Sequence, residues 1–333
     1  MRAHNYIFAA SLAAIAVLTP THASAQTTAP APAPTFTSLT VFGDSLVDAG
    51  NIFALTGGAT PSAAQGYFQG RFTNGYDYTD LLSLSLFGVP TTPSLLGGSN
   101  FAFGGARATT TSQVPDLQEQ LAFFNASGQP VTSTGLYVLN FGGNDIFAAL
   151  GSGAPTGFAS DAAFLQQAAS FYVGGVQSLL DQGARNFLIT GFPVAGVGLE
   201  FSLLGESFLT TQLASLNVPG DANIYRYSYL DFFQRLSADP TAFGLPANLN
   251  TTTSCQAARA LPDCTGYFYF DNTHPTAAIQ LAAFNDINRQ FNLSSLIAPV
   301  PEPSTWAMML MGFGAMGIAL RRRRRPQNLL QAA

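Results

Sequence analysis

Ser45 stands in Gly43-Asp44-Ser45-Leu46, directly after the apolar run 38–42 (SLTVF), and Asp271 stands three residues ahead of His274 in Asp271-Asn272-Thr273-His274-Pro275. A serine on a sharp turn out of a strand exposes its hydroxyl and keeps its own backbone N–H free near the start of the next helix. To act as a nucleophile it needs a base. His4 and His22 fall in what reads as a removable leader, so the mature chain keeps one imidazole, His274. The Asp-x-x-His spacing lets a carboxylate accept from one ring nitrogen while the other faces the serine, the nucleophile, base and orienter set of acyl transfer. A tetrahedral oxyanion also needs donors. The sequence offers the Ser45 N–H, a glycine N–H from Gly104-Gly105, and the side-chain amide of Asn144. Glycine allows close backbone approach, and losing one such donor costs about 10²–10³ in rate.

These pieces are far apart in sequence, so the intervening elements must carry them to one rim. Runs 38–42 (SLTVF), 136–141 (LYVLNF), 186–190 (NFLIT) and 223–227 (NIYRY) are short and largely apolar on both faces, as strands of a covered parallel sheet are. Segments 76–87, 116–125, 161–182 and 276–291 have helical character. The alternation predicts a three-layer α/β/α sandwich around a mostly parallel sheet, flavodoxin-like, with right-handed crossovers. Ligands in such folds sit beyond the carboxyl ends of the strands. Residues 100–103 (NFAF) and 267–270 (YFYF) read as two further short strands, which puts four polar clusters at strand ends. Asp48 and Asp145 read as helix caps or braces for the turns. Arg71 and Arg107 read as solvated or salt-bridged, with substrate contact as the alternative. The Phe- and Leu-rich stretch 201–209 suits an acyl pocket and the core equally well.

Composition narrows the class. Charged residues make up only 9% of the 333, and all 13 basic residues are arginine. Residues 26–299 carry 14 Asp and 3 Glu against 7 Arg, a net of −10, which excludes a nucleic-acid binder. One histidine and two cysteines in the mature chain fall short of the three or four converging ligands of a zinc site, so no metal is expected.

The ends read as sorting signals. Arg2, the apolar run 7–18 and Ala23-Ser24-Ala25 form a secretory signal peptide over residues 1–25, and 26–36 form an Ala/Pro/Thr linker. One domain is expected over 37–298. Cys255 and Cys264 enclose a short loop, which in an exported protein reads as a disulfide contributing roughly 2.5–3 kcal/mol. Residues 300–304 (VPEPS) lead into fifteen uncharged residues, 306–320, and then five arginines, 321–325. Fifteen helical residues rise about 22 Å, short of a hydrocarbon core of about 30 Å, so the span is marginal for a permanent anchor. This arrangement over 299–325 resembles the PEP-CTERM sorting signal of Gram-negative bacteria, leaving a tail at 326–333. The resemblance implies export, cleavage by an exosortase-type enzyme, transient membrane anchoring by the C-terminal helix, and an organism that makes exopolysaccharide.

A second resemblance covers residues 38–292. The block from Gly43 through Asn51 resembles the first block of the GDSL, or SGNH, hydrolase family. The block Asn100-Phe101-Ala102-Phe103-Gly104-Gly105-Ala106 is similar to its second, Gly142-Gly143-Asn144-Asp145 to its third, and Asp271-Asn272-Thr273-His274-Pro275 to its last. Gly70-Arg71-Phe72-Thr73-Asn74-Gly75 is similar to a segment of the plant-like and lipase-like branch. The resemblance implies Ser45 as nucleophile, His274 as base, Asp271 as its partner, and Ser45, Gly105 and Asn144 as oxyanion donors. It implies an esterase or lipase without metal or organic cofactor, acting on a lipid, a small ester or an acetylated glycan. A polysaccharide O-deacetylase and a non-catalytic surface or matrix protein on the same fold are the alternatives.

Overall fold

The strands form where the largely apolar runs lie, with one charge among them, Arg226. In the computed structural model, which describes residues 34–294 other than 111, 153, 154, 156 and 195–197, four parallel strands make one sheet. They are β1 (Ser38–Gly43), β2 (Gly135–Asn140), β3 (Asn186–Thr190) and β4 (Asn223–Tyr227), in the spatial order β1-β2-β3-β4. Ser38 lies opposite Gly135, Leu136 opposite Asn186, and Asn186 opposite Asn223. Successive side chains alternate between two cores. Val41, Leu136, Val138 and Leu188 face one, and Phe42, Tyr137, Leu139, Phe187 and Ile189 face the other. Burial on both faces of β1, β2 and β3 explains why those runs show no polar alternation, whereas the edge strand β4 is only partly buried. The leader, residues 26–33 of the linker, and the sorting tail lie outside the described residues.

The segment 100–103 is not a regular strand. Asn100 makes parallel bridges to Val41 on one side and to Pro93 on the other, and the Phe101 and Phe103 N–H groups donate to the Val41 and Gly43 carbonyls at 2.7 and 3.0 Å. The segment therefore runs along the edge of β1 that β2 leaves open. On its outer side the Ser94 N–H donates to the Asn100 carbonyl at 2.7 Å, and the Asn51 amide donates to the Asn100 and Ala102 carbonyls at 2.8 and 2.9 Å. Residues 267–270 likewise form only isolated bridges, Tyr267 with Asn250 and Tyr269 with Pro275.

Eight α-helices are described: α1 (Asn51–Leu55), α2 (Tyr78–Phe87), α3 (Leu117–Ala126), α4 (Gly143–Ser152), α5 (Asp161–Asp181), α6 (Leu199–Leu213), α7 (Tyr229–Ala238) and α8 (Ala277–Phe291). Helices α3, α4, α5 and α6 cover the Phe42 face, and α2, α7 and α8 cover the Val41 face, which gives the three-layer α/β/α sandwich. Helix α5 shows how the layers hold. Phe164, Ala168, Tyr172, Val176 and Leu179 recur at three- or four-residue spacing and are all fully buried. Each large side chain so buried is worth about 1.5–3 kcal/mol. The stretch 201–209 resolves to the core: Phe201, Leu204 and Phe208 pack against it and Leu209 is buried. Among the described residues no helix is long and apolar enough to cross a membrane.

Candidate active site

Strand β1 stops at Gly43 and the chain folds into a turn in which the Val47 N–H donates to the Asp44 carbonyl at 3.2 Å. Only glycine fits at 43, since a Cβ there would lie 2.5 Å from a Val47 methyl and 2.8 Å from the Asn140 carbonyl. Ser45 sits on this turn, not at a helix N-terminus as expected, because α1 does not begin until Asn51. The cause is Asp48, whose carboxylate collects the N–H groups of Gly50, Asn51 and Ile52 at 2.7, 2.6 and 3.2 Å and so starts the helix later. Among the described residues the Ser45 N–H has no acceptor.

Across the rim, Ser45 Oγ lies 2.7 Å from His274 Nε2, and His274 Nδ1 lies 2.7 Å from Asp271 Oδ2. Asp271 Oδ1 accepts the backbone N–H groups of Thr273 and His274, both at 2.7 Å. The Tyr67 hydroxyl donates to Oδ2 at 2.7 Å. Burial alone would raise the Asp271 carboxyl, but hydrogen bonds from His274 and Tyr67 outweigh it and hold the pKa down at about 2. The Phe72 ring packs against the imidazole with centroids 5.2 Å apart.

Two clamps hold the loop that carries Asp271 and His274. On one side Cys255 and Cys264 form a disulfide, and the Cys255 and Gln256 N–H groups donate to the carbonyls of Tyr269 and Phe270 at 2.9 and 3.0 Å. On the other, Thr73 Oγ1 donates to the Pro275 carbonyl at 2.9 Å and Asn74 Oδ1 accepts from the Ala277 N–H at 2.8 Å. The Gly70-to-Gly75 segment is thus a brace. Its Arg71 is buried in an ion pair with Asp80 at 2.8 Å and does not reach the cavity.

The two candidate glycines differ in what their N–H groups meet. Gly104 N–H donates to Asp48 Oδ2 at 2.9 Å, and a Cβ on Gly104 would lie 2.4 Å from the Phe72 ring. Gly105 has a φ of +91° and, among the described residues, no acceptor for its N–H. One N–H of the Asn144 amide donates to the Ala106 carbonyl at 2.9 Å, which ties Asn144 to the Gly104-Gly105 loop and leaves a second N–H for a ligand. Asp145, beside it, is buried and accepts from Ala108 and Thr109. Its pKa is pushed by burial to about 6 against those bonds and the nearby Arg107. Asp44 accepts from Leu46 N–H and the Asn140 amide at 3.0 and 3.1 Å, and burial pushes it up to about 7.

A cavity of about 210 Å³ opens beside Ser45 and His274. Asn144 lines it, while Gly105 stands on the adjoining loop outside the lining set. Phe147, Val194, Phe233, Phe268 and Tyr269 make it largely apolar. Phe147 and Phe233 come from α4 and α7, neither of which the sequence analysis placed. Helix α7 carried a legible signal in the spacing of Tyr229, Leu230, Phe232, Phe233 and Leu236, all buried. Tyr67 carried none.

The fold agrees with similarity to known proteins. The chain belongs to the GDSL-like lipase/acylhydrolase family, which it matches over residues 39–287. Residues 299–324 match the PEP-CTERM protein-sorting motif. The chain is 28% identical over 225 residues to Lipase 1 of Photorhabdus luminescens, covering 64% of this chain and 30% of that one. It is 24% identical over 324 residues to a GDSL esterase/lipase of Arabidopsis thaliana, covering 73% and 82%. A shorter match, 37% over 108 residues, covers 32% of this chain and 22% of the secreted effector protein SseJ of Salmonella typhimurium. The chain therefore spans under a third of the length of two of these relatives and most of the length of the third.

Proposed function

We propose that the protein is an exported carboxylic ester hydrolase that works through an acyl-enzyme. Ser45 Oγ attacks the ester carbonyl while its proton passes to His274 Nε2. The carbonyl–alkoxy bond then breaks, and the alcohol leaves with that proton. Water next gives a proton to His274 and attacks the acyl group, the carboxylic acid departs, and the proton returns to Ser45. Asp271 holds the ring and stabilises the imidazolium. The Ser45 N–H, the Gly105 N–H and the Asn144 amide receive the oxyanion, and Gly105 is preferred to Gly104 because the Gly104 N–H is already committed to Asp48.

The observation that carries this reading is the unbroken chain of 2.7 Å contacts from Ser45 through His274 to Asp271 at the wall of a cavity. The leader and the sorting motif support export from a Gram-negative cell, with transient anchoring by the C-terminal helix and cleavage by an exosortase-type enzyme. The apolar lining supports an acyl group as the part enclosed. The test is hydrolysis of p-nitrophenyl esters from acetate to palmitate by the full chain, made in an oxidising compartment, with Ser45→Ala alongside. Serine-dependent turnover is expected. Activity confined to acetyl esters would move the assignment to O-deacetylation of a glycan, and wild-type rates in Ser45→Ala would refute the mechanism.

A further inference from the structure

Tyr67 belongs to none of the blocks that carry the chemistry and does not line the cavity. Its hydroxyl nevertheless donates at 2.7 Å to Asp271 Oδ2, the oxygen that His274 Nδ1 also meets at 2.7 Å. With Thr273 and His274 N–H groups on Oδ1, the carboxylate receives four donors, about as many as its lone pairs accept. The two donors on Oδ2 fix the twist of the carboxylate about its Cβ–Cγ bond, and that twist sets where the imidazole points. The tyrosine ring is itself held, edge-on to Phe270 at 5.0 Å and to Phe72 at 6.3 Å. Phe72 in turn packs on His274. The turn leading into Tyr67 is tied to the disulfide loop, where the Gln256 amide donates to the Gln65 carbonyl at 2.9 Å.

We propose that Tyr67 is a positioning residue for ester hydrolysis, acting through Asp271 to keep His274 in line with Ser45. The proposal rests on the reading of Ser45, His274 and Asp271 as the catalytic set. Because Tyr67 touches neither the cavity nor Ser45, its removal acts on turnover and leaves substrate binding alone.

Tyr67→Phe in the full chain keeps both ring contacts and removes only the hydroxyl. With p-nitrophenyl butyrate, kcat should fall about 10-fold at unchanged KM, the scale of one hydrogen bond to a charged group. Introduced into Asp271→Ala, the same change should cost nothing further, since the partner it acts through is gone. The Nδ1 proton resonance of His274, read on folded protein even where the melting temperature drops, should be displaced in Tyr67→Phe. A kcat within twofold of wild type, an equal loss in both backgrounds, or an unmoved resonance would overturn the proposal. Inactive Ser45→Ala beside a fully active Tyr67→Phe would sink only the role of Tyr67. An active Ser45→Ala would sink the mechanism beneath it.

Discussion

On the proposed mechanism, replacing Ser45 or His274 by alanine removes the attacking oxygen or its base, and either should lower kcat by about 10⁴ or more in a steady-state assay while the circular dichroism spectrum stays native. Asn144→Ala should cost about 10²–10³, the effect of one oxyanion donor. These residues were legible from sequence because chemistry demands their types and because His274 is the one histidine outside the leader. The choice between Gly104 and Gly105 was not legible. Both are glycines in one loop, and what separates them is tertiary: one N–H meets Asp48 while the other meets nothing described. Tyr67 was hidden for a different reason: it lies 204 residues from Asp271, and no spacing rule links a tyrosine to a carboxylate that far along a chain.

At the scale of elements, the disulfide and the Gly70-to-Gly75 brace share the task of holding one loop. The bridge closes a loop with a sequence separation of 9, so replacing both cysteines with alanine should lower stability by roughly 2.5–3 kcal/mol. A urea titration measures this directly, and because the brace remains, kcat at low temperature should change far less than stability does. A parallel collapse of kcat and stability would show that the brace alone does not hold Asp271. The four helices expected from sequence form within about two residues of their predicted ends. Helix α4 was obscured because it grows out of the Gly142-Gly143 turn, and α6 because its apolar residues are spread around its circumference. The edge segment 100–103 looked like a strand by composition, yet its outer carbonyls are satisfied by the Asn51 amide and the Ser94 N–H, partners that no local pattern announces.

For the whole molecule, buried carboxylates set the response to pH. Asp44 moves from 3.8 in the unfolded chain to about 7 in the folded one, and Asp48 and Asp145 to about 6, each chiefly by burial. The folded state therefore holds these protons more tightly. The stability they contribute is complete below about pH 4 and is lost as pH rises through 6 and 7. Asp271 has the opposite sign: lowered to about 2, it contributes above pH 4 and loses that contribution as pH falls toward 2. Stability read from urea titrations should accordingly be highest in mildly acidic buffer and fall by an amount on the order of 5 kcal/mol between pH 5 and 8. A midpoint flat across that range would mean that all three groups are ionised in the fold. Cavity size gives a second expectation. About 210 Å³ is below the 300–1,000 Å³ of sites that enclose drug-sized ligands, so butyrate or hexanoate esters should be turned over faster than palmitate, as a kcat/KM series will report.

Ser45 and His274 touch across 229 residues of chain, one near the start of the domain and the other just before its last helix. A polypeptide threaded through a bilayer from its amino end delivers the nucleophile early and the base late. On the mechanism proposed above, such a chain has no base for Ser45 until residue 274 has emerged. Any chain cut short before residue 274 should therefore hydrolyse no ester, whatever else of it folds.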